Sequence, residues 1–422
     1  MFKPLARKWM ILILAIAGAQ VQAEMLMPAP PQIAGTAWVL MDASTGQVIV
    51  EHKSEERLPP ASLTKMMTGY IVSKEIESGR IKEDDIAKVS ENAWKIGGWA
   101  SGSSVMSLAP NSEAKVIDLM RGVIIQSGND ASIVLAEHLA GSEEAFADIM
   151  NQQAELLGLK GSHFRNATGL PDPDHYTTAH DLALLARALI RDHPEHYKIY
   201  SEKYFEYDNH RQPNRNRLLW RDSTVDGVKT GHTQEAGYCL VASAVRDDMR
   251  LISVVMGTAS EEIRARESQT LLAYGFRNYK SAKLFSAGQV LVENARVWYG
   301  EKDHVNLVAE KDVYATIRRD AQDGLKPDVQ VEPVLKAPLT KGQELGRASV
   351  TFGGEVLADI PVVAAEDVPE AGFFSRLWDA IMLFFSNMFA SDDEPATTDE
   401  ETATTEEQPA VSDDEPAGKT EN

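Results

Sequence analysis

Three short strings carry side chains able to do chemistry: Ser62-Leu63-Thr64-Lys65, Ser127-Gly128-Asn129 and Lys229-Thr230-Gly231. A serine hydroxyl is a poor nucleophile until an adjacent base takes its proton. On a helix Lys65 falls three residues beyond Ser62 on the same face, so its amine can approach the hydroxyl. For lysine to act as a base near neutral pH, burial or a nearby cation must lower its pKa. Lys229 is the cation expected to do this. Ser127 can relay a proton between Lys65 and a leaving amine, and Asn129 can donate to a substrate carbonyl while accepting from a lysine. Lys229 and Thr230 suit a terminal carboxylate through charge-assisted hydrogen bonds. Gly231 leaves room for a substrate backbone to pair along a strand edge. The set is equipped to attack an acyl group whose far end carries a carboxylate.

Local elements must hold these groups in place. Pro59-Pro60 precede a run in which Leu63, Met66, Met67, Tyr70 and Ile71 recur at helical spacing until Gly79, so Ser62 belongs to a helix's first turn. There the helix dipole favours developing negative charge. The second string joins two apolar helical segments, Val116 to Ile125 and Ala131 to Leu139. The third lies on a strand from Val225 to Gly231. Two more strands follow, Tyr238 to Val245 and Arg250 to Met256, joined by a turn at Asp247-Asp248. Each string alone is ambiguous, as a helix cap or a solvated edge lysine. Ser112-Glu113-Ala114-Lys115 matches the first equally well, but there Pro110-Asn111-Ser112 reads as a helix cap leading into Val116, Leu119 and Met120, with Lys115 solvated in the first turn. Ser90-Glu91-Asn92 likewise imitates the second. The ordered trio is what distinguishes Ser62.

The trio in this order resembles the penicillin-binding and serine β-lactamase superfamily, for which these motifs are the signature. The flanking residues narrow the likeness. Residues 60–68, 127–131 and 226–233 resemble the low-molecular-mass D-alanyl-D-alanine carboxypeptidases, as do Asn-Arg-Asn at 214–216 and the stretch 236–244. The resemblance runs from about residue 35 to 390. It implies that Ser62 is acylated by the penultimate D-alanine carbonyl of a peptidoglycan stem peptide, with Lys65 as general base and Ser127 relaying the proton. It further implies that Asn129 positions the acyl amide and that Lys229 and Thr230 hold the carboxylate. The backbone N–H groups of Ser62 and His232 would form the oxyanion hole, and Arg215 would assist substrate binding. β-Lactams would acylate Ser62 as inhibitors, with no cofactor and no metal.

The expected fold class is α/β (α+β): a transpeptidase/β-lactamase-like domain with a mainly antiparallel sheet flanked by helices, a small all-β C-terminal domain and an amphipathic anchor helix. Lys3, Arg7 and Lys8 precede an apolar run from Trp9 to Ala19, and Val21-Gln22-Ala23 offers a cleavage site. Residues 1–23 therefore read as a signal peptide, and 24–33 as a short linker. The catalytic domain spans 34–285. It opens with a hairpin of Trp38 to Met41 and Gln47 to Val50, and includes a helix from Ser260 to Gly275. Residues 286–367 alternate in short runs (290–297, 305–308, 313–317, 329–334, 348–352) punctuated by Pro and Gly, an all-β texture without catalytic residues. Cys239, the only cysteine, reads as a small core residue.

Residues 368–390 form the anchor segment, in which Phe374, Leu377, Trp378, Ile381, Phe385 and Met388 share one stripe of a helix from 373 to 389. The stretch is too short, and too interrupted by Arg376 and Asp379, to span a bilayer. A helix lying in the interface fits better. Half-burying six such side chains is worth roughly 5–9 kcal/mol gross, at half of about 1.5–3 kcal/mol each. Similar anchors in the resembled family also favour the membrane over docking on the β domain. Residues 391–422 carry twelve acidic side chains and one lysine, about half of the chain's net −21, and read as a disordered acidic tail. So acidic a chain is unsuited to nucleic acid. The localisation expected is the periplasmic face of the bacterial inner membrane. Rival readings are a β-lactamase, against which the β domain and anchor argue, and a wall-associated scaffold with little activity. A zinc carboxypeptidase would need a ligand cluster. His193 and His196 bracket Pro194, and no His-Glu-x-x-His occurs.

Overall fold

A computed structural model describes residues 29–319 and 324–389. The expected signal peptide and acidic tail lie outside the described residues. Contacts divide the chain into two compact units that do not follow chain order. One runs to Gln289 and takes in Ala309–Val331 and Gly346–Val362; the other holds Val290–Val308, Glu332–Leu345 and the chain from Val363 on.

The first unit is built on a five-stranded sheet in the order Val48–His52, Ala37–Asp42, Met249–Thr258, Gly237–Arg246, Val225–Thr233, every neighbour antiparallel. Side chains alternate across it. Val39, Met41, Cys239, Val241 and Val254 enter one core with the helices around Lys65–Glu77. Trp38, Leu40, Leu240, Ala242 and Leu251 enter another beneath the helix Glu261–Asn278. Both faces are covered, which is why these strands read as nearly continuous apolar runs. Cys239 is buried and free, as expected. The strand carrying Lys229 lies at the sheet's edge.

Helix Lys65–Glu77 is buried at every position from Lys65 to Ser73, so it runs through the core rather than over it. That course carries the Lys65 amine out of water. Side-chain caps start several helices: Ser90 Oγ accepts from Ala93 N at 2.9 Å, Thr178 Oγ1 from Asp181 N at 3.0 Å, and Ser260 Oγ from Ile263 N at 3.2 Å.

Three expectations are corrected. Glu113–Lys115 is a strand paired with Ile86–Lys88, not the first turn of a helix capped at 110–112, and the helix begins only at Val116. Lys115 is exposed and bonds Asp84 at 2.8 Å, so this second Ser-x-x-Lys holds no base near a hydroxyl. The 260–275 helix continues to Asn278; Gly275 lies inside it against Leu40 and Leu251. The strand read as 329–334 is Lys326–Val331, since Pro333 cannot donate to a ladder.

The C-terminal part is all-β. Within the first unit Tyr279–Phe285 pairs with Val313–Arg318, and Lys326–Val331 pairs with residues 346–351. In the second, Val290–Trp298 pairs antiparallel with His304–Ala309 and parallel with Leu335–Lys336. The helix Phe373–Phe389 belongs to the second unit. Asp379 on it is buried and accepts from Tyr299 N at 2.7 Å and from Arg296 at 3.4 Å. Phe373, Phe374, Leu377, Trp378, Ile381, Met382 and Phe384 are exposed. Among the described residues no helix is long and apolar enough to cross a membrane.

Candidate active site

Ser62 sits in the single 3-10 turn Ala61–Thr64 that leads into the core helix. One turn on, Lys65 Nζ lies 3.2 Å from Ser62 Oγ. The amine also donates to Asn129 Oδ1 at 2.7 Å and to the Thr168 carbonyl at 2.5 Å. Asn129 opens helix Asn129–Ala140. Ahead of it the chain makes a π-helical turn, Gly122–Gln126, and Ser127 then adopts left-handed φ 62°. Such a conformation costs a non-glycine residue about 1–2 kcal/mol, and π-turns recur at functional sites. The strain is rewarded by position: Lys229 Nζ donates to Ser127 Oγ at 2.9 Å. The three strings thus converge, although they are far apart in the chain.

The edge strand reaches the nucleophile because residue 231 is glycine. A Cβ there would lie 3.0 Å from the Pro60 carbonyl and 3.1 Å from Leu63 Cγ. The space a side chain would take at Gly231 is filled by the turn bearing Ser62. Lys65, Ser127, Asn129, Lys229 and Thr230 are all buried. Arg215 is exposed and lines the cleft, as do Ser62, Thr230, Gly231 and His232. The His232 ring stacks on Tyr238 at 3.9 Å between centroids. The cleft has a volume of about 420 Å³.

Two comparisons of sequence decide the family. Residues 24–260 match the family model for D-alanyl-D-alanine carboxypeptidase, and residues 279–370 match that for the penicillin-binding protein 5 C-terminal domain. The chain is 46 % identical to D-alanyl-D-alanine carboxypeptidase DacC of Escherichia coli over 364 residues, covering 86 % of this chain and 91 % of that protein. The chain belongs to the D-alanyl-D-alanine carboxypeptidase family. Its fold agrees with penicillin-binding protein 5 from Haemophilus influenzae at TM-score 0.76 and 43 % identity, over 81 % of this chain and 100 % of that one. Penicillin-binding protein D2 from Listeria monocytogenes, in its ampicillin-bound form, matches at TM-score 0.52 and 28 % identity, over 59 % of this chain and 100 % of that one. The protein is a serine-type D-alanyl-D-alanine carboxypeptidase, a penicillin-binding hydrolase acting on peptidoglycan.

The electrostatics of the carboxypeptidase cleft follow from burial. Burial brings Lys65 down to about 7, and the Arg215 guanidinium adds to the effect, while Asp130 and Glu143 oppose it. Arg215 thus joins the cations that disfavour the Lys65 ammonium. Lys229 is itself held well below the usual lysine range, first by burial and then by Lys65, Arg215 and Arg264. A buried ammonium beside Lys65, Arg215 and Arg264 is poorly solvated, so this corner of the cleft attracts an anion.

Several lining residues carry no motif. Thr168, Gly169 and Leu170 form one wall, and Tyr238, Glu261 and Arg264 another. Arg264 is buried and donates to the Gly231 carbonyl at 3.1 Å. A signal for it existed. Arg264 shares the buried stripe of its helix with Ser268, Leu271, Leu272 and Gly275, and a charge on a core-facing stripe requires a partner. His193 and His196, weighed above as zinc ligands, bond instead to carboxylates: Glu77 at 2.8 Å and Glu83 at 3.2 Å.

Proposed function

We propose that Ser62 is the nucleophile of a two-step D-Ala-D-Ala carboxypeptidase reaction. Neutral Lys65 takes the Ser62 proton as Oγ bonds to the penultimate D-alanine carbonyl carbon. The oxyanion forms against the backbone N–H groups of Ser62 and His232. Asn129 holds the acyl amide. Lys229, Thr230 and Arg215 hold the terminal carboxylate. Ser127, bonded to Lys229, relays the proton taken up by Lys65 to the amine of the departing D-alanine as the peptide C–N bond breaks. Water then attacks the acyl ester and restores Ser62, releasing the shortened stem. A penicillin enters the first step the same way, its opened lactam staying on Ser62.

The observation that carries this reading is the convergence of the three strings: Lys65 contacts Ser62 and Asn129, and Lys229 contacts Ser127. Intact-mass analysis after incubation with a labelled penicillin tests it. One adduct per wild-type molecule and none on Ser62→Ala is expected. An adduct persisting on Ser62→Ala would refute it.

The enzyme works at the periplasmic face of the inner membrane, peripherally attached through 373–389. Supporting this, most of the described apolar side chains of that helix are exposed, while Asp379 and Leu383 are buried. That is the orientation of a helix lying in an interface, and Arg376 as its one cation leaves adhesion mainly hydrophobic. Vesicle co-sedimentation tests it: full-length protein should pellet with vesicles, and protein ending before Phe373 should stay in solution.

A further inference from the structure

Residues 97–104 form an arch whose two feet rest on the first turn of helix Asn129–Ala140. At one foot Gly97 lies so close that a Cβ would come within 2.5 Å of Asp130 N. At the other the Ser104 carbonyl accepts from Asn129 N at 2.8 Å. Past that foot the N–H groups of Met106, Ser107 and Leu108 donate to the buried Asp130 carboxylate at 2.8, 2.9 and 3.1 Å. The arch is therefore bolted to the residue that contacts Lys65. Its inner side, Gly102, Ser103 and Ser104, lines the cleft. Its crest is Trp99, in the one-turn helix Trp99–Ser101, and 69 % exposed; Trp94 and Ile96 before it are exposed as well.

An indole held in water forgoes the large transfer free energy that covering it would bring, and the pinned feet keep the crest where it is. We propose that Trp99 is a specificity-determining residue that covers the aliphatic side chain of the stem-peptide residue preceding the acyl D-alanine. The inference rests on the assignment of Asn129 to the acyl amide. With that amide on Asn129, the substrate chain upstream of it emerges beside the arch standing on Asn129. An indole face then meets a run of methylenes, while Ser103 and Ser104 face the peptide's polar backbone. Lys229, Thr230 and Arg215 take the opposite end of the substrate, so the arch discriminates among acyl donors without touching the leaving D-alanine.

The test compares two N-acetylated tripeptides ending in D-Ala-D-Ala, one beginning with a lysine acetylated on its side chain and the other with glycine. The enzyme is the full-length protein. The wild type should prefer the lysine peptide in kcat/KM by about tenfold, the discrimination a methylene or two supplies. Trp99→Ala should abolish that preference by losing rate on the lysine peptide alone. Its penicillin acylation and its glycine-peptide turnover should stay within about twofold of wild type, which also shows that it has folded. Trp99→Phe should keep most of the preference. Equal losses on both peptides, or an unchanged ratio, would overturn the role of Trp99 and point to a protein or lipid contact at the crest. Failure of wild type to cleave either peptide or to take up penicillin would instead overturn the underlying assignment of Ser62.

Discussion

The pKa of Lys65 can be moved in both directions, which makes the proposed base directly testable. At about 7, half of Lys65 is neutral at pH 7. An unperturbed lysine near 10.4 would be neutral in only about one molecule in 2,500, so the site gains roughly a thousandfold in available base. The acylation rate constant for a reporter penicillin, followed by stopped flow from pH 5 to 9, should rise with pH through a midpoint near 7. Two substitutions should displace that midpoint oppositely. Arg215→Gln removes a cation that disfavours the ammonium and should move the limb to higher pH. Glu143→Gln removes a carboxylate that favours it and should move the limb to lower pH. Arg215 is exposed, so solvent screens its field, and each displacement should be about 0.3–1 pH unit, or roughly 0.4–1.4 kcal/mol. Glu143 itself is raised by burial and acts only where it is ionised, so its effect is read on the upper part of the limb. Displacement of both variants in the same direction, or a wild-type midpoint above 9, would refute Lys65 as the base.

Other outcomes follow from the same contacts. Lys229→Ala should lower kcat/KM on a D-Ala-D-Ala peptide by about 10–150-fold, the worth of a charged hydrogen bond at about 1.5–3 kcal/mol, and steady-state kinetics measure it. Because folding lowers the Lys65 pKa, its buried charge destabilises the native state fully below about pH 7. That cost fades as pH rises toward the unfolded value near 10.4. Urea titrations should therefore show wild type gaining on Lys65→Met between pH 6 and 10, and a pH-independent difference would count against the burial argument. Leu251→Ala, at a fully buried position under the helix Glu261–Asn278, should cost about 2–5 kcal/mol in urea unfolding, with normal penicillin uptake per folded molecule. Replacing exposed Leu377 and Trp378 by Glu should release the protein from vesicles in a sedimentation assay while leaving peptide turnover intact.

Much of this was legible in the sequence because the informative residues repeat a local rule. Helical spacing placed Ser62 and Lys65 on one face, and apolar runs marked the central strands. What escaped were features set by packing across distance. Thr168 enters the site through its carbonyl, which any residue type could supply. Gly275 resembles a helix stop, yet it lies where the helix approaches Leu40 and Leu251. The 113–115 strand exists because Ile86–Lys88 is there to pair with it, and nothing in its own three residues announces that. The influence of Arg215 on Lys65 depends on a cleft wall that only the assembled fold creates.

The site draws its parts from residues 62–65, 127–129 and 229–231, and the last group is held on a sheet whose other strands come from both ends of the same unit. A chain lacking any of these stretches cannot bring them together. Covalent labelling by a fluorescent penicillin therefore counts natively assembled molecules rather than total polypeptide. A gel band's brightness per mole becomes a measure of maturation for any variant that leaves the acylating residues intact.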